Sequence, residues 1–368
     1  MPNLKEVPQL PRADGRIEAI DLARGIAIGL MILSHTVSGL VGIPNVPEWG
    51  MVPIHLVTKF SSSLFITVFG IALAVAFLPR TRDDDWPKRR LKLWLRGLEV
   101  WFWYKALTIV EMLPYNAPAD ILNTLLYGNF AIWVEILGFY AIALVWVPLI
   151  LPLWARAPLW SRLAAIVGLS ALSAWLQGFD FGGNAIVKAL LVDHSDYYTW
   201  GQLSRAPLIL IGLLIGEAAL RCAGERTRQR KFVLTLIALG ALMIGGFYAL
   251  AASDGEVYAA MTAVANNAGK HPPELAFMLF SVGGAFVILG LTLAGGRLAA
   301  RALLPLTLVG SDALKAFIFH IVMIFLVLRF LLGVNETITY PQALGTGGLL
   351  ILGAALWIRA TRWMAAHR

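Results

Sequence analysis

Apolar runs of about twenty residues recur along this chain, each long enough to cross a hydrocarbon core of about 30 Å as a helix. Ten are legible, at about 20–42, 54–78, 92–113, 130–152, 161–178, 206–220, 232–252, 274–296, 313–333 and 342–359. The chain is 58% hydrophobic and 14% charged over 368 residues, more apolar surface than a soluble domain of this size can hide. The expected fold is therefore all-α, a polytopic membrane protein with about ten transmembrane helices. Leu303–Val309 is apolar but too short to span and reads as an interfacial stub. Pro114–Gly128 reads as a short amphipathic or re-entrant piece.

The basic residues set an orientation. The loops after expected helices 1, 3, 5, 7 and 9 hold Lys188, Arg205 and Lys270, whereas the two tails and the loops after helices 2, 4, 6 and 8 are much richer in Lys and Arg. By the positive-inside rule both termini are cytoplasmic. The expected layout is a cytoplasmic N-terminal tail (1–19), one transmembrane domain (20–360) and a cytoplasmic C-terminal tail (361–368). The polar N-terminal tail lacks a signal-peptide cleavage pattern, so the first helix is expected to act as an uncleaved signal anchor. The formal charge of +8 comes from short inter-helix clusters and does not suggest nucleic acid. Cys222 is the sole cysteine, which excludes intramolecular disulfides and multi-cysteine metal sites.

Ionisable residues inside apolar runs are costly and point to function. The first run carries Asp21, Arg24 and His35. Arg24 and His35 are eleven residues apart, close to three turns, so they share a helix face and are separated by roughly 16 Å along the axis. Asp21 lies one turn below Arg24 on that face. The plainer reading of His35 is a hydrogen bond to a neighbouring helix. Glu135, on the first turns of the fourth run, can orient or recharge an imidazole, or pair with Lys59 or Lys105. Asp312 and His320 fit helix-packing hydrogen bonds better than chemistry, and Gly212-x-x-x-Gly216 fits close helix packing.

Two basic clusters stand out. Arg226-x-Arg228-x-Arg230-Lys231 is accounted for by topology alone. The cluster from Arg80 through Lys88-Arg89-Arg90-x-Lys92 to Arg96 runs into the third helix, and can bind a phosphorylated ligand because Arg pairs well with phosphate. On the other side, Asp193-His194-Ser195-Asp196-Tyr197-Tyr198-Thr199-Trp200 mixes polar and aromatic residues, as sugar sites and membrane interfaces do. His194, Trp200 and the following Arg205 are the candidate substrate-binding residues. H-E-x-x-H, Cys/His metal spacing, a G-x-S-x-G elbow and a P-loop are all missing, which disfavours a metalloprotease, a serine hydrolase and a nucleotide-driven pump; no metal is expected.

Arg16-Ile17-x-x-Ile20-Asp21-x-x-Arg24-Gly25-Ile26-Ala27…His35 resembles the Arg–ten residues–His signature of the integral-membrane acyltransferase superfamily. That superfamily includes the acyltransferase 3, glucan succinyltransferase-like and heparan-α-glucosaminide N-acetyltransferase-like proteins. Phe65-Ile66-Thr67-Val68-Phe69-Gly70 is similar to its second block, with Phe69 where a small polar residue is usual. Arg89-Arg90-Leu91 with Arg96 resembles its basic block, and Trp133-Val134-Glu135…Phe139-Tyr140 its W-x-x-E-x-x-F-Y stretch. His271-Pro272-Pro273-Glu274 is similar to a helix entry in the heparan-acetyltransferase-like branch. The similarity is strongest over residues 16–140.

The resemblance implies a multi-pass acyltransferase of the cytoplasmic (inner) membrane. It would take acyl groups, acetyl above all, from cytoplasmic acyl-CoA to a hydroxyl or amine of a glycan or lipid-linked acceptor. It implies Arg24, Arg89, Arg90 and Arg96 on the CoA phosphates, His35 as the base, Glu135 beside the imidazole or the acceptor, and Asp21 bracing Arg24. Membrane lipids and a carbohydrate acceptor are the expected partners, and a homo-oligomer stays open. Two other classes also fit the residues: a secondary transporter using the buried charges, and an inactive scaffold or sensor with the same fold.

Overall fold

A computed structural model describes residues 12–13 and 16–367. The expectations for residues 1–11 of the N-terminal tail lie outside the described residues. The chain is built from helices, preceded by a two-residue antiparallel ladder of β1 (Arg12–Ala13) and β2 (Arg16–Ile17). Among the described residues nine helices are long and apolar enough to cross a bilayer, and the chain is a polytopic membrane protein. The tenth expected span is also one unbroken helix, α3 (Trp86–Met112). Its many charges, from Lys88 to Glu111, leave it less apolar than the other nine.

The chain divides into two compact units. The first holds the described chain up to Val68, Ala218–Lys270 and the chain from Glu274 onward; the second holds Phe69–Glu217 and His271–Pro273.

In the first unit, α1 (Glu18–Leu40) is flanked by α11 (Leu275–Ala302), α12 (Leu304–Ser311) and α14 (Tyr340–Ala366). The stretch expected as an interfacial stub is α12, laid directly on α1. A Cβ added at Gly25 would sit 1.8 Å from the Leu306 carbonyl oxygen, and one at Gly310 1.8 Å from that of Asp21. Backbone meets backbone here, which glycine alone permits. Helix α9 (Arg226–Ser253) packs on α11, α10 (Val257–Ala265) follows it, and α13 (Ala313–Ile321) continues into π-helical turns over Val322–Leu331. Val37, Met51, Phe247, Phe277, Phe280 and Tyr340 form an apolar cluster around the C-terminal end of α1. Helix α14 runs through the expected C-terminal tail as far as Ala366.

In the second unit, α3 packs along α5 (Glu135–Arg156). The expected fourth span opened at about residue 130, yet the helix starts at Glu135. The Glu111 carboxylate accepts hydrogen bonds from the backbone N–H groups of Ile132 (2.7 Å) and Trp133 (3.1 Å), which holds that lead-in as a turn. The re-entrant piece is α4 (Pro118–Leu125), and α6 (Leu159–Leu176) and α7 (Ala185–Val192) follow α5. The latter half of α2 (Phe60–Phe77) meets α8 (Gln202–Cys222) at glycines: a Cβ at Gly216 would lie 2.9 Å from the Ile71 carbonyl oxygen. Leu349, Leu242 and Val167 are about 70% exposed, as side chains facing acyl chains must be in a helical membrane protein.

Candidate active site

Helix α1 carries its ionisable groups at two levels. Near its N-terminal end Arg24 Nη1 donates to the Gly310 carbonyl (3.0 Å) and lies 3.3 Å from the Asp21 carboxylate. The same α1–α12 contact that demands glycine at 25 and 310 therefore also fixes the guanidinium.

Three turns further along, His35 Nδ1 is 3.0 Å from Nε2 of His320 on α13, and His320 Nδ1 is 3.1 Å from the Ala316 carbonyl oxygen. His320 is fully buried. For two neutral rings this chain permits one arrangement of protons. A carbonyl only accepts, so His320 Nδ1 carries hydrogen and its Nε2 holds the lone pair. His35 Nδ1 must then be the N–H donor, which makes Nε2 the basic nitrogen of His35. Phe317 stands edge-on to both rings. His35 thus does hydrogen-bond a neighbouring helix, but its partner is a second imidazole that selects its tautomer. Asp312, the other polar residue at the start of this span, pairs with Lys315 at 2.9 Å.

Also in the first unit, Lys59 is buried beside His55 and Asn267, with Nζ 2.9 Å from Asn267 Oδ1 and 3.3 Å from His55 Nε2. Neither Lys59 nor His55 was singled out for chemistry by the sequence.

The second unit holds the other expected residues. Arg89 pairs with Asp85 (2.6 Å), and this hydrogen bond holds the exposed Asp85 carboxyl below its ordinary range. Arg96 pairs with Glu99 (2.6 Å). The Arg90 guanidinium lies over the Trp94 ring at 4.9 Å, and its buried Nε has no hydrogen-bond partner among the described residues. Among the described residues no carboxylate lies within salt-bridge distance of Arg90.

Glu135 accepts a short hydrogen bond from the Tyr104 hydroxyl. Lys105 Nζ sits 3.4 Å above the Tyr127 ring, and Trp101 Nε1 donates to the Tyr127 hydroxyl (3.0 Å). Burial pushes the Tyr127 phenol up from its ordinary value. Tyr104, Tyr127, Glu135, Thr199, Trp200 and Gln202 line one small cavity, with free space of about 10 Å³ for the centre of a water molecule. That is room for about one water. The fold thus brings Glu135 and Trp200 to the same enclosure.

Arg205 is fully buried, with Nε 3.9 Å from the Asp193 carboxylate and its guanidinium 5.0 Å from the Trp200 ring. Asp193 also accepts from Ser204 Oγ (2.6 Å) and the Gly201 N–H (3.0 Å), and lies 3.4 Å from His271 Nδ1. Burial alone would raise the Asp193 carboxyl, but Arg205, His271 and Ser204 outweigh it and hold it below the ordinary range. The loop is pinned on Asp193, while His194 lies at the rim against Tyr197. The sequence does not pair His271 with Asp193: it reads the first as a helix entry and the second as part of a loop suited to sugars or to a membrane interface.

Apolar helices with a paired imidazole and a fixed arginine on one of them define a polytopic membrane protein with ionisable groups inside a span. Over residues 17–360 the chain matches the acyltransferase 3 family, described as an acyltransferase domain. The protein belongs to that family and is a membrane acyltransferase. Comparison with curated proteins found none that matches, and comparison with solved structures found none.

Proposed function

We propose that the protein moves an acyl group, acetyl above all, from acyl-CoA at the cytoplasmic side of the inner membrane to a hydroxyl or amine of a glycan or lipid-linked acceptor. The single observation that carries this reading is the Ala316–His320–His35 hydrogen-bond chain, which makes His35 Nε2 a proton acceptor. In the reaction Nε2 takes the proton of the acceptor hydroxyl or amine as that atom attacks the thioester carbonyl. The tetrahedral intermediate collapses with cleavage of the C–S bond, and the imidazolium returns the proton to the departing thiolate. Direct transfer needs no covalent acyl-histidine.

Arg24, Arg89, Arg90 and Arg96 are the residues assigned to the CoA phosphates, with Arg90 the readiest because its Nε is unmatched among the described residues. Guanidinium suits phosphate because its planar fork donates two parallel hydrogen bonds. Asp21 braces Arg24, and Glu135, Trp200, His194 and Arg205 are assigned to the acceptor.

The test has two parts. Acetyl-CoA should bind the purified protein saturably by calorimetry, and Arg90→Ala and Arg24→Ala should weaken that binding. A folded His35→Ala protein should lose about a hundredfold or more in turnover while still binding acetyl-CoA. Absence of binding by acetyl-CoA and by longer acyl-CoAs would remove the donor and leave the transporter and scaffold readings in front.

A further inference from the structure

The cations of the first unit are unevenly matched. Arg24 has Asp21, Lys315 has Asp312 and Arg297 faces Glu18. Lys59, 3% exposed at the start of α2, has two neutral neighbours, His55 Nε2 (3.3 Å) and Asn267 Oδ1 (2.9 Å). Among the described residues no carboxylate lies within salt-bridge distance of it. A buried ammonium without a counter-ion is costly, and within membrane helices such a group marks a substrate or ion path.

The protons of the cluster sharpen this. Lys59 donates, so the His55 Nε2 that receives it must hold a lone pair, and the neutral ring then carries its hydrogen on Nδ1. His55 is 1% exposed, and its Nδ1 has no hydrogen-bond partner among the described residues. Lys59 has three N–H groups and two partners. One N–H on Lys59 and one on His55 are thus donors in search of an acceptor, next to a positive charge in search of a negative one. Lys59 and Lys270 both act electrostatically on His55 and on His35, so the cluster belongs to the His35 end of the unit. Arg24 is three turns away along α1.

We propose that Lys59, His55 and Asn267 form an anion-binding site, and that the acyl acceptor carries a phosphate or carboxylate group which Lys59 receives while His35 activates its hydroxyl or amine. Lys270 adds to the positive field. The acceptor's place here rests on the acyl-transfer reading; the capture of an oxyanion does not. In the same arrangement a neutral glycan would leave Lys59 without a counter-ion, so the site selects against it.

The experiment uses the full-length protein in detergent, with inorganic phosphate as probe and chloride at matched ionic strength as control. Wild type should show a saturable upward shift in melting temperature with phosphate, retained in Arg90→Ala. Lys59→Gln should weaken phosphate binding by about tenfold or more, the scale of losing a hydrogen bond to a charged group. Lys59→Arg should keep most of the response. His55→Phe, which retains the charge but removes the Nδ1 donor, gives a second reading should Lys59→Gln not fold, and should weaken phosphate severalfold. Acetyl-CoA binding should be unchanged in all three. Equal phosphate responses in wild type and Lys59→Gln, or in wild type and His55→Phe if Lys59→Gln does not fold, would overturn the site. Lost acetyl-CoA binding in Lys59→Gln or His55→Phe would assign the cluster to the donor phosphates and overturn the acceptor assignment. Phosphate binding with no acetyl-CoA binding in wild type would leave the anion site standing and remove the acyl-transfer reading beneath it.

Discussion

Replacing His320 by alanine takes away the acceptor for His35 Nδ1–H, and with it the contact that selects the His35 tautomer. Turnover should fall by about 10–100-fold, the scale on which an orienting partner acts. The KM for acetyl-CoA should hardly move, because His320 acts through His35 and not on the donor. His320→Gln, whose side-chain oxygen can accept the same hydrogen, should recover part of the rate; equal losses in both variants would remove the positioning role. A second residue-scale prediction concerns Asp193. Its folded-state carboxyl titrates below the ordinary value of about 3.9, so the stability it adds is whole above that pH and is lost as pH falls through the lower folded value. Asp193→Asn should destabilise by about 1.5–3 kcal/mol near neutral pH, the scale of hydrogen bonds to a charged group. Melting curves of the two proteins should draw together as pH falls below about 4 and coincide once it is below the depressed folded value. His35 was legible as a candidate because an imidazole in an apolar run is conspicuous. Its partner was not, since His320 is 285 residues away and nothing local in the sequence pairs them.

The contact between α1 and α12 has no room for a methyl group at Gly25 or Gly310, and Arg24 is tied to the Gly310 carbonyl across the same contact. Gly310→Ala should therefore cost about 1–3 kcal/mol by overpacking. It should also shift Arg24, so acetyl-CoA affinity should fall with thermal stability; a stability loss without an affinity loss would detach Arg24 from the donor. Hydropathy placed α1 well but reduced α12 to a stub, because an eight-residue apolar helix has no signature in a scan tuned to twenty. It likewise opened the fourth span before Glu135, because the Glu111 carboxylate that holds the lead-in as a turn comes from another helix.

At the scale of the molecule, hydropathy alone revealed the helical class, and each of the ten expected segments holds a helix, the fourth only from Glu135 onward. The charged α3 is among them although it is less apolar than the other nine. The orientation rests on basic residues and is open to a direct measurement. In a Cys222→Ser background, Asp196→Cys should react with a membrane-impermeant maleimide on intact cells, whereas Arg82→Cys should react after the membrane is opened. The reverse labelling would invert the protein and place the arginine cluster away from cytoplasmic CoA. What the sequence withheld at this scale was the matching of charges. It showed where cations fall but not that Arg89 and Arg96 are each paired with an acid three or four residues away while Lys59 meets two neutral groups.

Asp85 and Glu99 bear on turnover in another way. In the proposed donor site an incoming phosphate must compete with a carboxylate already seated on Arg89 or Arg96. Each arginine would exchange one anionic partner for another, so the grip on CoA would be weaker than the tally of cations implies. After transfer the same carboxylates would reclaim the guanidinium groups and help expel the spent carrier. An enzyme held back by slow product departure would thus keep the acids beside its arginines, and Asp85→Asn should tighten CoA while slowing its dissociation in stopped-flow measurements.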